Sequence, residues 1–440
     1  MKDAKIDYFR IKEQNATAEA WLVEYTDKNV LYIPLHSLLI ELTTKGRNDI
    51  RTYIDSQAMS GTMSEVIAQI QQSAVADTRD RAEEEYAPTV IGLGLTDICQ
   101  LKCVYCHSDS GQESQCSTMP FAVAKKAIDF AAQNAKKLNR PLDVGFIGPG
   151  EQTTVWELFT KVIRYIYAVA DETGIQTNLT LATNGCYGEE KRAFIVEHFD
   201  GVSLSFDGYQ KIQNMQRPRK DGSPSFELTY GTAKYFYQHR GEGRKGFRFV
   251  LRPTVSQYGL DHIEELLSFY KMEFPGIPVG FEAINPLGRA SNEMCGGKVL
   301  VPNHEQFAKK ITELLEREGS EKILNSGASR LGELRKSFCK ALSMPGFNIT
   351  PWGEISACQR DGAPDFFKYG YYDPQREEFV LDEERIKYFR SLSVDSYPEC
   401  AECIAKYHCA GDCTDLRRAG IKRCEINTRM VCKMLEEEVL

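Results

Sequence analysis

From residue 89 onward the chain alternates short apolar runs with segments of helical period, and no other sequence feature restricts its fold as tightly. TVIGLGL (89–95), DVGFIG (143–148), LTLAT (179–183), VSLSF (202–206), FRFVLRPTV (247–255) and VGFEAI (279–284) read as strands. Between the first two, VAKKAIDFAAQNA sets Ala124, Ala127, Ile128, Ala131 and Ala132 on one helical face. Such alternation predicts an α/β fold with a parallel sheet or barrel. Six strand-helix units fall short of the eight that close a TIM barrel, so a partial (β/α)6 barrel over 86–290, open on one side for a large substrate, is expected.

The flanks differ. Residues 16–43 contain the extended runs AEAWLVEY, NVLYIP and SLLIELT; two helices follow, around NDIRTYID and in TMSEVIAQIQQ, where Met63, Val66, Ile67 and Ile70 share a face. They form a small α+β unit over 1–85, with the charged stretch ADTRDRAEEEY (76–86) as its linker. A helical segment including HEQFAKKITELLERE bridges 291–335, and the remainder, 336–440, holds eight of the fourteen cysteines. No run approaches the ~18 apolar residues of a membrane span, and MKDAKIDYFRIKEQ lacks the apolar core of a signal peptide, so a cytoplasmic protein without membrane association is expected. That compartment keeps thiols reduced, which turns the cysteines toward metal or redox chemistry rather than a disulfide framework. A net charge of -8 argues against general nucleic-acid binding.

TDICQLKCVYCHSDSG (96–111) places Cys99, Cys103 and Cys106 directly after the first strand. Three thiols so spaced serve as buried cysteines, as a zinc loop, or as ligands to a four-iron cube that keeps one iron open. The following strand ends favour the cube, because they supply what a small amino acid bound at that iron needs. FIGPGEQT brings Gly148, Gly150 and Glu151, ATNG brings Thr183 and Asn184, SLSFDG brings Ser205, and Arg252 lies on the fifth strand. Polar groups at strand carboxyl ends are where barrels place active sites.

The C-x3-C-x2-C spacing, with Tyr105 before the last cysteine and Gly150-Glu151 after the second strand, resembles the radical SAM superfamily over about residues 89–290. The resemblance implies a 4Fe-4S cluster on Cys99, Cys103 and Cys106 that binds S-adenosylmethionine and cleaves it to a 5′-deoxyadenosyl radical. It further implies Tyr105, Gly150, Glu151, Thr183, Asn184, Ser205 and Arg252 around the cofactor, although Pro149 replaces the family's first glycine and Arg252 also suits a structural ion pair.

On spacing alone, Cys400-x2-Cys403-x5-Cys409-x3-Cys413 also fits a zinc knuckle, with His408 as a further ligand. The whole series, from Cys339 and Gly353-x4-Cys358 to Cys432, resembles the SPASM extension, which implies two auxiliary 4Fe-4S clusters and three in all. By that resemblance Cys400, Cys403, Cys409 and Cys432 hold the outer cluster and Cys339, Cys358 and Cys413 the inner one, with Cys424 an alternative closing ligand for the outer and Cys295 available to the inner. Cys116, Cys186, Cys295 and Cys424 otherwise read as small buried hydrophobes.

A SPASM extension implies a polypeptide substrate. Sulfatase maturases of this type carry an acidic residue after the second SPASM cysteine, whereas this chain has Gln359, then Arg360 and Asp361. SLSFDGYQKIQNMQRPRKDGSPSF (203–226) keeps Asp207 and Arg217 but has Gln213-Asn214 where many relatives have His-Asp, and resembles maturases of ribosomally made peptides. The amino-terminal unit resembles a RiPP recognition element, a winged-helix-like domain that binds a precursor's leader peptide along a sheet edge. The expectation is an oxidoreductase that abstracts a hydrogen from a precursor peptide and forms a carbon-sulfur, carbon-carbon or carbon-oxygen cross-link, supplied by an electron donor such as flavodoxin or ferredoxin. Peptide epimerisation, formylglycine formation, and a non-enzymatic iron-sulfur electron carrier are the alternatives.

Overall fold

In a computed structural model, the sheet residues of the central region obey a strict inside-outside alternation. The structure describes residues 4–438 apart from 14, 77, 79–84, 109–116, 287, 292–300, 320–322, 324–330, 340–345 and 359–364. Most of the expected 76–86 linker therefore lies outside the described residues, as do Cys116, Cys295 and the Gln359–Asp361 stretch.

Strands β5 (Val90–Leu93), β6 (Leu142–Phe146), β7 (Thr177–Thr183), β8 (Gly201–Leu204) and β9 (Arg248–Leu251) pair in sequence order and in parallel. Helices α3 (Phe121–Leu138), α4 (Trp156–Thr173), α5 (Glu189–His198), α6 (Gln210–Gln216) and α7 (Phe226–Gln238) fall between them. On one face, Ile91, Leu93, Leu142, Val144, Phe146, Leu179, Leu181, Val202 and Leu204 join a single core with the helices, including every alanine and isoleucine singled out on α3. Successive residues of a strand point to opposite faces. The other face therefore carries Val90, Gly92, Asp143, Gly145, Ala182 and Ser203, which are mostly small. A closed barrel fills its interior with layers of bulky branched side chains. Here the residues are too small to fill the space, and a cavity results.

The fifth expected strand breaks at Arg252-Pro253 into β9 and β10 (Thr254–Val255), because proline has no N–H to donate to a ladder. The sixth shrinks to a single bridge, Leu251 to Val279, and to β11 (Glu282–Ala283), which pairs in parallel with β10. Helix α8 (Ile263–Glu273) precedes β11, and α9 (His304–Glu318) follows at the expected place. Beyond it, β12 (Phe347–Ile349) pairs in parallel with β5, and β13 (Glu354–Ser356), β14 (Lys368–Asp373) and β15 (Glu378–Leu381) continue antiparallel, so one nine-stranded mixed sheet runs from β15 to β9. Helices α10 (Glu383–Ser391) and α11 (Cys424–Glu438) complete the cysteine-rich end.

The amino-terminal unit is a four-stranded antiparallel meander rather than three strands: β1 (Lys5–Glu13) precedes β2 (Ala16–Glu24), β3 (Asn29–Ile33) and β4 (Leu38–Leu42). In KIDYFRIKE the four apolar or aromatic residues Ile6, Tyr8, Phe9 and Ile11 are interrupted by charges and break alternation at Tyr8-Phe9, so it resembles a polar lead-in until its pairing with β2 is seen. Helices α1 (Thr44–Ser56) and α2 (Gly61–Gln72) close one face over Phe9, Ile11, Leu22 and Leu31, with Met63, Val66, Ile67 and Ile70 contributing as expected. Trp21, Val23, Val30 and Tyr32 on the opposite face pack against Ile404, Tyr407, Val431 and Leu435 of the cysteine-rich end. Polar bonds reinforce that seam: Trp21 Nε1 donates to the Glu402 carbonyl at 2.9 Å, and the Tyr32 hydroxyl meets His408 Nε2 at 2.6 Å. Among the described residues no helix is long and apolar enough to cross a membrane.

Trp21 has no exposed surface. Trp21→Ala should therefore lower unfolding stability by about 3–5 kcal/mol and open the seam. Chemical denaturation measures the first effect, and faster proteolysis within residues 16–33 the second.

Candidate functional site

The loop that carries the first three cysteines is tied to the segment that ends α6 on one side and to Arg289 on the other. Leu101 forms a bridge with Arg219, Lys102 N–H donates to the Pro218 carbonyl at 2.8 Å, and Val104 N–H to the Gln216 carbonyl at 3.0 Å. On the far side, Arg289 N–H reaches the Cys106 carbonyl at 2.9 Å and its guanidinium the Cys103 carbonyl at 2.5 Å.

Tyr105, expected at the cofactor, turns its hydroxyl into a polar cluster. It donates to Asp207 Oδ2 at 2.6 Å and accepts from Arg217 Nη1 at 2.8 Å. Asp207, 1% exposed, also accepts from Gln216 Nε2 at 2.7 Å and from Thr254 N–H at 3.0 Å, with Arg217 at 3.7 Å. Burial pushes its carboxyl above the usual range, against the pull of Arg217. Gln213 occupies the position where many relatives have histidine; its amide oxygen accepts from Asp207 N–H at 2.9 Å. Asn214 accepts from the N–H groups of Ser225 and Phe226 and so caps α7.

Cys99, Cys103 and Cys106 line one wall of a cavity of about 1160 Å3. Burial pushes the Cys99 thiol up to about 12 and the Cys103 thiol up to about 11. Leu101 N–H donates to Cys99 Sγ at 3.4 Å and Asn184 Nδ2 approaches it at 3.7 Å, the kind of N–H donors that tune iron-sulfur sites.

Gly150, Glu151, Thr183, Asn184, Ser205 and Arg252 line the same cavity. Gly150 has φ +76°, and a Cβ there would lie 2.6 Å from the carbonyl oxygens of Thr96 and Ile98, so the loop after β6 lies on the cysteine loop only because this residue is glycine. Glu151 N–H then bonds the Ile98 carbonyl at 2.8 Å. The Glu151 carboxylate accepts from Thr183 Oγ1 at 2.9 Å, Thr153 Oγ1 at 2.8 Å and Asn184 N–H at 2.7 Å; burial nonetheless raises its pKa. Pro149, the departure noted in sequence, lets its carbonyl accept from Gln152 Nε2 at 3.1 Å, and Gln152 Oε1 accepts from Leu95 N–H at 2.6 Å. Arg252 pairs with Glu282 at 3.1 Å, a partner that sequence reasoning missed because 30 residues separate the two.

The same cavity reaches Cys339 and Cys358 at its other end, beside Arg335, Phe338 and Asn348. Cys413 is not among the lining residues; it sits within electrostatic reach of Arg423, whose guanidinium stacks 5.6 Å from the Phe338 ring and bonds Asp412 at 3.1 Å. Cys400, Cys403, Cys409 and Cys432 gather under the amino-terminal sheet, the last three in one apolar cluster. The sulfurs of Cys409 and Cys400 accept from Asn427 Nδ2 at 3.1 Å and from Arg417 Nη2 at 3.2 Å. His408, a ligand in the zinc-knuckle alternative, is fully buried with its Nε2 taken by Tyr32. Cys186 is buried as expected, but Cys424 is exposed. Among the described residues no three His, Cys, Asp or Glu side chains close on a single metal ion. A polynuclear cluster instead takes each thiolate on a different iron, and the N–H donors aimed at these sulfurs suit it.

No protein-family model matches the sequence, and no curated protein is significantly similar to it. Solved structures do align. His-tagged anSMEcpe with bound AdoMet superposes with a TM-score of 0.59 at 19% identity, covering 80% of this chain and 92% of that one. The chain has the fold of anSMEcpe. Native anSMEcpe with bound AdoMet and the Cp18Cys peptide gives a TM-score of 0.57 at 19% identity, over 79% of this chain and 95% of that one. Streptococcus suis SuiB bound to S-adenosylmethionine covers 95% of this chain and 97% of its own at 14% identity, with a TM-score of 0.47.

Asp207→Ala leaves Arg217 buried without its counter-charge and should destabilise the protein by about 3–5 kcal/mol, seen as a lower denaturation midpoint. Gly150→Ala should displace the loop after β6 from the cysteine loop, measurable as faster hydrogen exchange at Glu151 N–H.

Proposed function

We propose that this chain is a radical SAM enzyme with auxiliary iron-sulfur clusters that modifies a ribosomally made peptide. The observation that carries this reading is one cavity shared by Cys99, Cys103 and Cys106, by the polar strand ends, and by Cys339 and Cys358. Its volume, about 1160 Å3, exceeds the ~300–1,000 Å3 of an ordinary small-ligand pocket, leaving room for a cofactor and a peptide segment together. Likeness in fold to anSMEcpe, whose structures hold AdoMet and a peptide, supports it.

Cys99, Cys103 and Cys106 would hold a 4Fe-4S cluster, which when bound supplies the electron that cleaves S-adenosylmethionine to methionine and a 5′-deoxyadenosyl radical. Glu151 offers an acceptor to the cofactor's ammonium, and Gly150 lets backbone approach it. Ser205, Thr183 and Asn184 line the same cavity, and Arg252 presents a planar fork to a carboxylate, held in place by Glu282. Tyr105 positions the cysteine loop through Asp207. Cys339, Cys358 and Cys413 would hold an inner cluster. Cys400, Cys403, Cys409 and Cys432 would hold an outer one able to take up the second electron of the oxidation, while a donor such as flavodoxin or ferredoxin would supply the electron that starts the reaction. The amino-terminal meander would take the leader peptide, as a recognition element over 1–85 ahead of a partial barrel over 86–290, a bridging segment over 291–335 and a SPASM domain over 336–440. The product is an oxidative cross-link.

Anaerobic reconstitution with S-adenosylmethionine and dithionite should yield 5′-deoxyadenosine, and Cys99→Ala, Cys103→Ala or Cys106→Ala should each reduce it to background. No 5′-deoxyadenosine from the wild type would sink the reading. Mass spectrometry of a co-expressed precursor should show loss of two hydrogen atoms; a mass unchanged in H2O that rises by one deuterium for hydrogen in D2O would mean epimerisation instead.

A further inference from the structure

The outer set of thiols stands in mostly apolar surroundings. Cys403, Cys409 and Cys432 pack with Trp21, Val23, Val30, Val431 and Leu435, and Cys400 is buried beside them in sequence. A cluster that accepts an electron gains a negative charge, which an apolar seam opposes. Left to that seam alone, such a cluster would resist reduction. Two side chains act the other way: Arg417 Nη2 donates to Cys400 Sγ at 3.2 Å, and Asn427 Nδ2 donates to Cys409 Sγ at 3.1 Å. Hydrogen bonds to the sulfurs are one of the levers that set a cluster's potential, and a guanidinium adds a full positive charge to its bond. At Cys99 the corresponding donors are neutral and lie farther off, Leu101 N–H at 3.4 Å and Asn184 Nδ2 at 3.7 Å.

Both donors are fixed in place. Arg417 Nη1 donates to Glu399 Oε1 at 2.8 Å, its Nε donates to the Gly411 carbonyl, and its guanidinium lies 4.2 Å from the Tyr397 ring. All three partners belong to the loop that carries Cys400 and Cys409, so the cation moves with the thiols it serves. Glu399 offsets part of its charge, but the two are unequal: the Glu399 side chain is 45% exposed and shared with Lys422 at 3.2 Å, whereas Arg417 is 8% exposed. Water screens the carboxylate more than the guanidinium, which leaves a net positive field at Cys400. Asn427, in the first turn of α11, is buried. A thiolate accepts hydrogen bonds and donates none, so it holds the amide with its Nδ2 end toward Cys409.

Resting on the cluster reading above, we propose that Arg417 and Asn427 raise the reduction potential of the outer cluster and so make it the acceptor of the second electron. In that oxidation the 5′-deoxyadenosyl radical takes one hydrogen atom from the peptide. On bond formation the peptide gives up one proton to solvent and one electron, which reduces the outer cluster by one unit. The test is an EPR-monitored redox titration of the anaerobically reconstituted full chain, the outer cluster's signal being the one missing from Cys400→Ala. In Arg417→Gln, and in Asn427→Leu, which keeps the shape of the side chain, the ratio of reduced to oxidised outer cluster at a fixed ambient potential should fall about tenfold, equivalent to ~59 mV for one electron. The other two clusters should titrate as in the wild type, with iron per chain unchanged. Lys422→Gln, which removes a cation from the same Glu399, should titrate as the wild type. Ratios within about twofold of wild type in both variants, or an equal shift in Lys422→Gln, overturn the proposal. So does loss of that cluster's iron from both variants, which assigns the two residues to holding the cluster rather than tuning it. A wild type that takes up no iron instead removes the cluster reading itself, and the proposal falls with it.

Discussion

A carboxylate almost without exposed surface, Asp207, fixes where the first three cysteines stand. Its two oxygens receive Tyr105 from the cysteine loop, Gln216 from α6 and the N–H of Thr254 from β10, and Arg217 supplies the counter-charge. Three segments distant in sequence thus converge on one atom pair. A buried acceptor without donors costs several kcal/mol, so no member of this cluster moves without the others. The cysteine loop has no regular secondary structure of its own; its shape follows from this cluster, from the Arg289 strap on its other side, and from Gly150 beneath it.

The cavity has an equally local origin. In β6, β7 and β8 the residues facing the helices are Leu, Val and Phe, with Thr at the two ends of β7, and those facing inward are Asp, Gly, Asn, Thr, Ala and Ser. The outer face supplies the core that holds the sheet; the inner face leaves the hollow. Because β12 joins β5 in parallel, Asn348 within it and Cys358 shortly after it are brought to the same hollow, which Cys339 also lines. A single strand pairing in the sheet therefore sets where Cys358 lies relative to Cys99.

Residues whose partners are near in sequence, or whose periodicity is strong, were legible beforehand. The alanine face of α3, the five principal parallel strands and the loop of Cys99, Cys103 and Cys106 all belong to this class. What escaped depends on distant partners. β1 is charged enough to read as a lead-in until β2 pairs with it, and β12 to β15 lie among cysteines and turns that mask their alternation. Asp207 and Arg217 stood out as residues, but their tie to Tyr105 spans more than 100 positions and has no spacing signature. Arg252 was ambiguous for the same reason: Glu282, which holds it, sits on another strand.

The amino-terminal sheet shows how its surroundings limit what it can bind. One face is closed by α1 and α2 and the other by the cysteine-rich seam, with Tyr32 on His408 and Glu19 accepting from Lys406 and Tyr407. Neither face is left for a peptide to cover. Among the described residues the outer edges of β1 and β4 carry no further strand, so an extended chain that joins this unit does so by main-chain pairing at one of them. β1 is nine residues long and β4 five, which gives β1 nearly twice the run of backbone donors and acceptors. Its charged residues discourage indiscriminate edge pairing. Trp21 of β2 and Tyr32 of β3 are bonded to residues 402 and 408, so the amino-terminal sheet and the backbone that carries Cys403 hold each other in place.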